Sequence, residues 1–177
     1  MKIELKSVKI NNAFSEETIC FKADVFVNGV KTAYASNDGR GGCTFYNSYE
    51  GKRELLKEAE AYAISLPSEY YDFGDTKMEI KSNLEGIIDT MIGDILSEKE
   101  NAKHEKKVAK LMVNHIVYGV PNGNSYATIS FKGKPKFDEM IKTPQGKQAV
   151  INLYNRIKSE LKKGKKILNT NIEVFKL

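Results

Sequence analysis

The stretch TICFKADVFVNGVKTAYAS, Thr18 to Ser36, decides the reading of the fold. Ile19, Phe21, Ala23, Val25 and Val27 fall on every second position, the period of a strand with one buried face. Asn28-Gly29 then offers two residues that tolerate positive φ, the signature of a two-residue hairpin turn. Val30 to about Ser36 reads as the returning strand. Upstream, Lys2 to Ile10 alternates through Ile3, Leu5, Val8 and Ile10, with one phase slip at Ser7 that predicts a β-bulge. Downstream, Asn37 to Gly42 reads as a loop and Cys43 to Tyr46 as a short fourth strand. The expectation is an antiparallel meander.

Helical periods follow. Leu55, Leu56, Ala59, Tyr62, Ala63 and Leu66 form one stripe of a helix over Gly51 to Leu66 that packs on the meander and stops at Pro67. From Asn83 the period returns through Leu84, Ile87, Ile88, Met91, Ile92, Ile95 and Leu96. It resumes at Val108 after a polar middle that holds neither Gly nor Pro, so one long or kinked helix is favoured over a helical hairpin broken near Glu100-Asn101. His115 to Val120 and Tyr126 to Lys132 read as a second hairpin around Pro121-Asn122-Gly123-Asn124. A helical turn near Phe137 to Ile141 comes next. Thr143-Pro144 then caps a further helix that runs to about Lys163, with Gly164 as its stop. Ile167 to Phe175 reads as a last strand. The class is α+β. Residues 1–66 form the sheet and its helix, 67–80 a connector, and 81–177 a helix–hairpin–helix–strand half that packs with the first into one compact unit.

Composition sets outer bounds. Of 177 residues 41% are hydrophobic and 29% charged, enough for a core with an ordinary polar surface. No stretch approaches the roughly 20 apolar residues of a membrane span, and Met1 to Lys6 lacks the apolar block of a signal peptide. A cytoplasmic protein with no membrane partner is expected, in the bacterial host if the chain belongs to a phage or plasmid. Cys20 and Cys43 are read as reduced thiols, small apolar groups within strands, without metal-ligand spacing. Charge is uneven: residues 1–80 carry ten Lys/Arg and thirteen Asp/Glu, whereas 81–177 carry eighteen and ten. A basic half invites a nucleic-acid reading. Its cations are nearly all lysine, however, where base reading favours the planar fork of arginine.

The most informative segment for function is Asn37-Asp38-Gly39-Arg40-Gly41-Gly42, followed by Phe45 and Tyr46. Three glycines in four positions free successive N–H groups to form an anion-binding nest, to which Arg40 would add a charged fork. The plainer alternative is a wide turn in which glycine satisfies geometry and Asp38 caps. The segment is neither a P-loop nor a dinucleotide fingerprint, so no cofactor is expected. Cys43 would need a base to act as a nucleophile, and only His104 and His115 are available, with nothing placing either beside it. The two histidines lie too far apart along one helix to share a metal. Glu54, Glu58 and Glu60 fit a solvated helix face. Lys103, Lys106, Lys107 and Lys110 form one basic face, and Lys162, Lys163, Lys165 and Lys166 a second run; both suit a phosphate backbone or simply a solvated surface.

Ser15 to Thr18 (SEET), the strand bearing Asn28-Gly29, and the NDGRGG loop ahead of an aromatic pair resemble a family of small uncharacterised proteins of phages, plasmids and other mobile elements. The resemblance covers about the first 50 residues. It implies a compact accessory protein that binds a host component, and no activity.

Together these readings favour a non-enzymatic binding protein that engages a host protein through Asn37 to Gly42 and Tyr46. A nucleic-acid binder using the basic half, and a binder of a small anion at the glycine loop, are the alternatives.

Overall fold

The computed structural model describes residues 1–171 except 75, 122, 124 and 163, and only the backbone of Glu69, Tyr71, Phe73 and Thr76. Composition places a boundary at 67–80 inside one packed unit. The chain divides into two compact units, Met1–Glu98 and Lys99–Leu177, so the border between them falls further along. The class is α+β, as the periodicities predict.

In the first unit, β1 (Ile3–Ile10), β2 (Phe21–Val27), β3 (Val30–Asn37) and β4 (Phe45–Ser48) form an antiparallel meander in the order β1-β2-β3-β4. The hairpin turn is the expected one, with Asn28 at φ 50° and Gly29 at φ 81°. Asn28 also binds the start of β1: its N–H donates to Lys2 O at 2.8 Å, and its Oδ1 accepts from Lys2 N at 2.9 Å. The slip at Ser7 is a bulge, since Lys6 pairs with Asp24 but Lys9 with Lys22, and Ser7 sits at φ 53°. One extra residue there returns Val8 and Ile10 to the face of Ile3 and Leu5. A second irregularity leaves Thr32 of β3 without a partner on β2, between the Val25–Ala33 and Phe26–Lys31 pairs.

Helix α1 (Arg53–Ser65) covers one face of this sheet. Ala59 and Ala63, both at 0% exposure, belong to one core with Ala33 and Ala35 of β3. Small residues on both sides let helix and sheet approach closely. Leu66 closes the helix in an extended conformation (ψ 155°), as the residue before Pro67 must. The expected connector is a hairpin of β5 (Glu69–Phe73) and β6 (Thr76–Ile80), turning at Gly74 with φ 68°. Asn83 then caps α2 (Leu84–Met112) by accepting from Gly86 N at 2.7 Å. The helix is continuous over 29 residues. Its Leu84, Ile88 and Ile92 complete the first core.

In the second unit, β7 (Ile116–Gly119) lies between β8 (Tyr126–Ile129) and β9 (Lys166–Ile167). α3 (Phe137–Met140) and α4 (Pro144–Glu160) supply Phe137, Val150, Leu153 and Ile157, which pack with Ile116. Thr143 caps α4 through Gly146 N at 3.1 Å, with Pro144 at the first turn, as expected. Val108 and Met112 of α2 pack with Val117. Beyond β9 the Asn169 side chain continues the ladder, accepting from Val117 N at 2.7 Å and donating to His115 O at 2.9 Å. The strand expected from Ile167 to Phe175 ends at Ile167 instead: Leu168 to Asn171 are irregular, and 172–175 lie outside the described residues, as do Asn122 and Asn124 of the second turn. Among the described residues no helix is long and apolar enough to cross a membrane.

Candidate binding surface on the N-terminal sheet

Alternation gives the meander two faces. Phe21, Ala23, Val25, Val27, Ala33 and Ala35 point into the core beneath α1 and α2. The intervening positions point the other way: Lys6 and Lys9 on β1, Lys22, Asp24 and Phe26 on β2, Tyr34 and Ser36 on β3, Phe45 and Asn47 on β4. Both helices are on the core side, and this second face stays open. Phe45 is 59% exposed and Tyr34 38%.

The open face carries a connected aromatic and ionic cluster. Tyr34 lies 6.1 Å from Phe45 and 6.3 Å from Tyr49, centroid to centroid, both pairs tilted. The Tyr49 hydroxyl donates to Asp24 Oδ1 at 2.6 Å, and Lys31 Nζ pairs with Asp24 Oδ2 at 3.0 Å. Lys31 also stands 4.7 Å over the Tyr49 ring, and Lys6 stands 4.3 Å over Phe26. The Tyr49 hydrogen bond and then Lys31 hold the Asp24 carboxyl below its usual range. The same contacts push the Lys31 ammonium and the Tyr49 phenol up. Glu4 is held down by its bond to Lys2, 2.9 Å away. Both acids of the face are thus matched by lysines. Among the described residues Lys9, Lys22 and Arg40 have no ion pair.

A groove of about 420 Å³ crosses this face beside Tyr34, edged by Ser7, Lys9, Lys22, Asp24 and Ser36. Ala23 and Ala35 turn their methyls to the core, so they contribute backbone to its floor. A second depression, about 360 Å³, shares Lys22 and Ser36 with the first and continues to Asp38, Arg40 and Phe14. The two depressions adjoin at Lys22 and Ser36, and together they make up the trough of the open face, one part beside the Ser7 bulge and the other beside the glycine loop.

The glycine loop is held from within. Asn37, 9% exposed, donates to Gly42 O at 2.9 Å and Thr44 Oγ1 at 3.3 Å, and accepts from Thr18 Oγ1 and Gly39 N, each at 2.8 Å. Gly39 O accepts from Glu16, Glu17 and Thr18 N–H at 2.9, 3.0 and 3.3 Å. The N–H groups of the supposed nest are committed to internal partners: Gly39 to Asn37 Oδ1, Arg40 to Asp38 Oδ1, Gly41 to Thr18 Oγ1. Gly39 sits at φ 87°, and a Cβ there would run into Phe14 O. Turn geometry accounts for the glycine. What the loop presents outward are the side chains of Asp38 and Arg40.

Other expected residues fall elsewhere. Tyr46 packs toward the core, where burial and then Glu60 push its phenol up; its neighbour Phe45 takes the open face. Cys20 and Cys43 are free thiols in loops rather than strands, and Cys43 is exposed instead of buried. They belong to the first unit and both histidines to the second. Cys43 lies outside the strand because Thr44 is drawn to α2: its N–H donates to Glu85 Oε1 at 2.8 Å and its hydroxyl to Asp89 Oδ1 at 2.5 Å. Glu54 pairs with Lys57 at 3.0 Å on an exposed surface. Lys103, Lys106, Lys107 and Lys110 share one exposed face of α2. Lys162, Lys165 and Lys166 are exposed near β9, and Lys163 lies outside the described residues.

The sequence singles out Phe45 and Arg40 but not Lys9, Lys22, Asp24 or Tyr34. Their signal was available as the outward half of each strand's alternation. Compared with known proteins, the chain matches no family model, no curated protein and no solved structure.

Proposed function

We propose that the protein is a non-enzymatic binding protein that takes a macromolecular partner on the open face of its N-terminal sheet. The observation that carries this reading is the Tyr34–Phe45 pair, two contacting rings left exposed on a face that neither helix of the unit covers. Aromatic side chains offer a large contact area at little cost in side-chain freedom. The likeness of the first 50 residues to mobile-element proteins supplies a setting, an accessory factor engaging a host component in the bacterial cytoplasm. Arg40, at the end of the trough, is the residue of the glycine loop that takes part.

The test is a tagged pull-down from expressing cells, with and without nuclease, comparing the wild type with Tyr34→Ser/Phe45→Ser. A stoichiometric partner captured by the wild type and lost from a folded double variant supports the reading. Equal capture by both would sink it.

A second reading rests on the α2 stripe. Lys103, Lys106, Lys107 and Lys110 are exposed, and among the described residues none is in an ion pair. A phosphate backbone suits that row. Loss of capture from Lys103→Gln/Lys107→Gln alone would favour it.

A further inference from the structure

Resting on the binding reading above, we infer that the partner of the open face is single-stranded nucleic acid, its bases stacked on Phe45 and Tyr34 and its phosphates on Lys9, Lys22 and Arg40. Three independent features of the face converge on this ligand.

The first is the pair of rings. Phe45 is 59% exposed and braced by Tyr34 at 6.1 Å, which is braced in turn by Tyr49 at 6.3 Å. Base–aromatic stacking needs an exposed ring face, against which any base can lie. It also needs bases whose faces are accessible, which a duplex does not offer.

The second is charge. Glu4 is matched by Lys2, and Asp24 by Lys31 and the Tyr49 hydroxyl. Asp38, at the far end of the trough, accepts only the Arg40 backbone N–H, has no ion pair among the described residues, and offsets one of the cations. With Glu4 and Asp24 paired and Asp38 the one acid of the trough left without a cation among the described residues, Lys9, Lys22 and Arg40 remain along it without an ion pair, and Lys6 adds a fourth cation over Phe26, so positive charge prevails. Protein–protein interfaces are depleted in lysine. A lysine-rich aromatic face fits a polyanion with flat bases better than a folded protein.

The third is shape. The groove of about 420 Å³ beside Tyr34 is edged by Ser7, Ser36 and the Asp24 carboxylate, groups able to meet a base edge. Its volume falls in the ~300–1,000 Å³ range of small-ligand sites. The adjoining depression, which shares Lys22 and Ser36 with the groove and reaches Arg40, offers the backbone a way along the face.

The experiment is fluorescence anisotropy of labelled oligo-U RNA and oligo-dT DNA of about twelve nucleotides, within the usual site sizes, and of a duplex of the same length. The full chain should bind a single strand in preference to the duplex. About three phosphate contacts at a slope of ~0.7 each predict that log K falls by about 2 per decade of salt. Phe45→Ala and Tyr34→Ala should each weaken binding about tenfold without changing the salt slope. Lys9→Gln and Lys22→Gln should each reduce the slope by ~0.7. The stronger of the U and dT arms assigns RNA or DNA. Circular dichroism confirms that each variant is folded. Absence of single-strand binding at ~50 mM salt, indifference to both ring variants, or loss only with Lys103→Gln/Lys107→Gln would overturn the inference. If nucleic acid fails to bind while a protein partner is captured in a Tyr34- and Phe45-dependent manner, this inference falls and the binding reading stands. If neither is seen, both fall.

Discussion

Tyr49 and Asp24, 25 residues apart, are joined by a 2.6 Å hydrogen bond that ties the end of β4 to the middle of β2 across the intervening strand. Lys31 occupies the second carboxylate oxygen at 3.0 Å. The carboxyl is held below its usual 3.8, so in the acid range it binds fewer protons folded than unfolded. Its stabilisation is complete above about 3.8 and is lost as pH falls through the depressed value. Asp24→Asn should therefore lower stability at neutral pH by less than ~1 kcal/mol, given the partly exposed site. The gap to the wild type should close in acid. Urea unfolding at several pH values checks both statements.

Asn37 satisfies four polar groups from a nearly closed position. Asn37→Ala leaves the Gly42 carbonyl and the Gly39 N–H without that partner. A loss of about 2–3 kcal/mol is expected, read as a lower urea midpoint. Thr18→Val, which removes the donor to Asn37 Oδ1, should give a smaller loss of ~1 kcal/mol.

The glycines of the loop differ in what they tolerate. Gly39→Ala places a Cβ at φ 87° against Phe14 O and should destabilise by at least ~1–3 kcal/mol. Gly42 has open space around it and no positive φ. Gly42→Ala should stay within ~0.5 kcal/mol of the wild type. Similar losses for both substitutions would show that the loop is not held as described.

Asp89 has the opposite linkage from Asp24. Burial pushes its carboxyl above the usual 3.8, and Glu85 adds to the rise against the hydrogen bond from Thr44. A raised folded value means that stability is fullest below about 3.8 and is lost as pH climbs through it. Asp89→Asn keeps an oxygen for the Thr44 hydroxyl and removes the charge. The variant should melt at or above the wild-type temperature at neutral pH, with the advantage vanishing in acid. Melting below the wild type at neutral pH would count against this account.

The meander, its turn, the Ser7 bulge and the main helices were legible in the sequence because each rests on local periodicity or turn chemistry. The β5–β6 hairpin was not: Glu69-Tyr70-Tyr71-Asp72-Phe73 lacks clean alternation and sits beside Pro67 and Gly74, which read as a connector. The start of β4 was misplaced because Thr44 is bound by Glu85 and Asp89, 41 and 45 residues away. The candidate surface was half legible for a related reason. Alternation says that Lys22, Asp24 and Tyr34 share a face, but only the packing of α1 and α2 decides which face is covered. The glycine loop drew notice by its composition, and two of its glycines, Gly39 and Gly41, have an internal reason, the close approach of Phe14 O and Glu17.

Leu84, Ile88 and Ile92 lie on the basic side of the charge divide, yet they close the core of the acidic unit. The electrostatic border near residue 80 and the folding border at Glu98 are therefore different lines along the chain. A fragment trimmed at the first would lose those three side chains from the core and expose the apolar surface they cover. Only a piece that runs at least to Ile92 carries every buried residue of that core, so any exchange of the N-terminal module between proteins must bring along the opening turns of the helix that follows it.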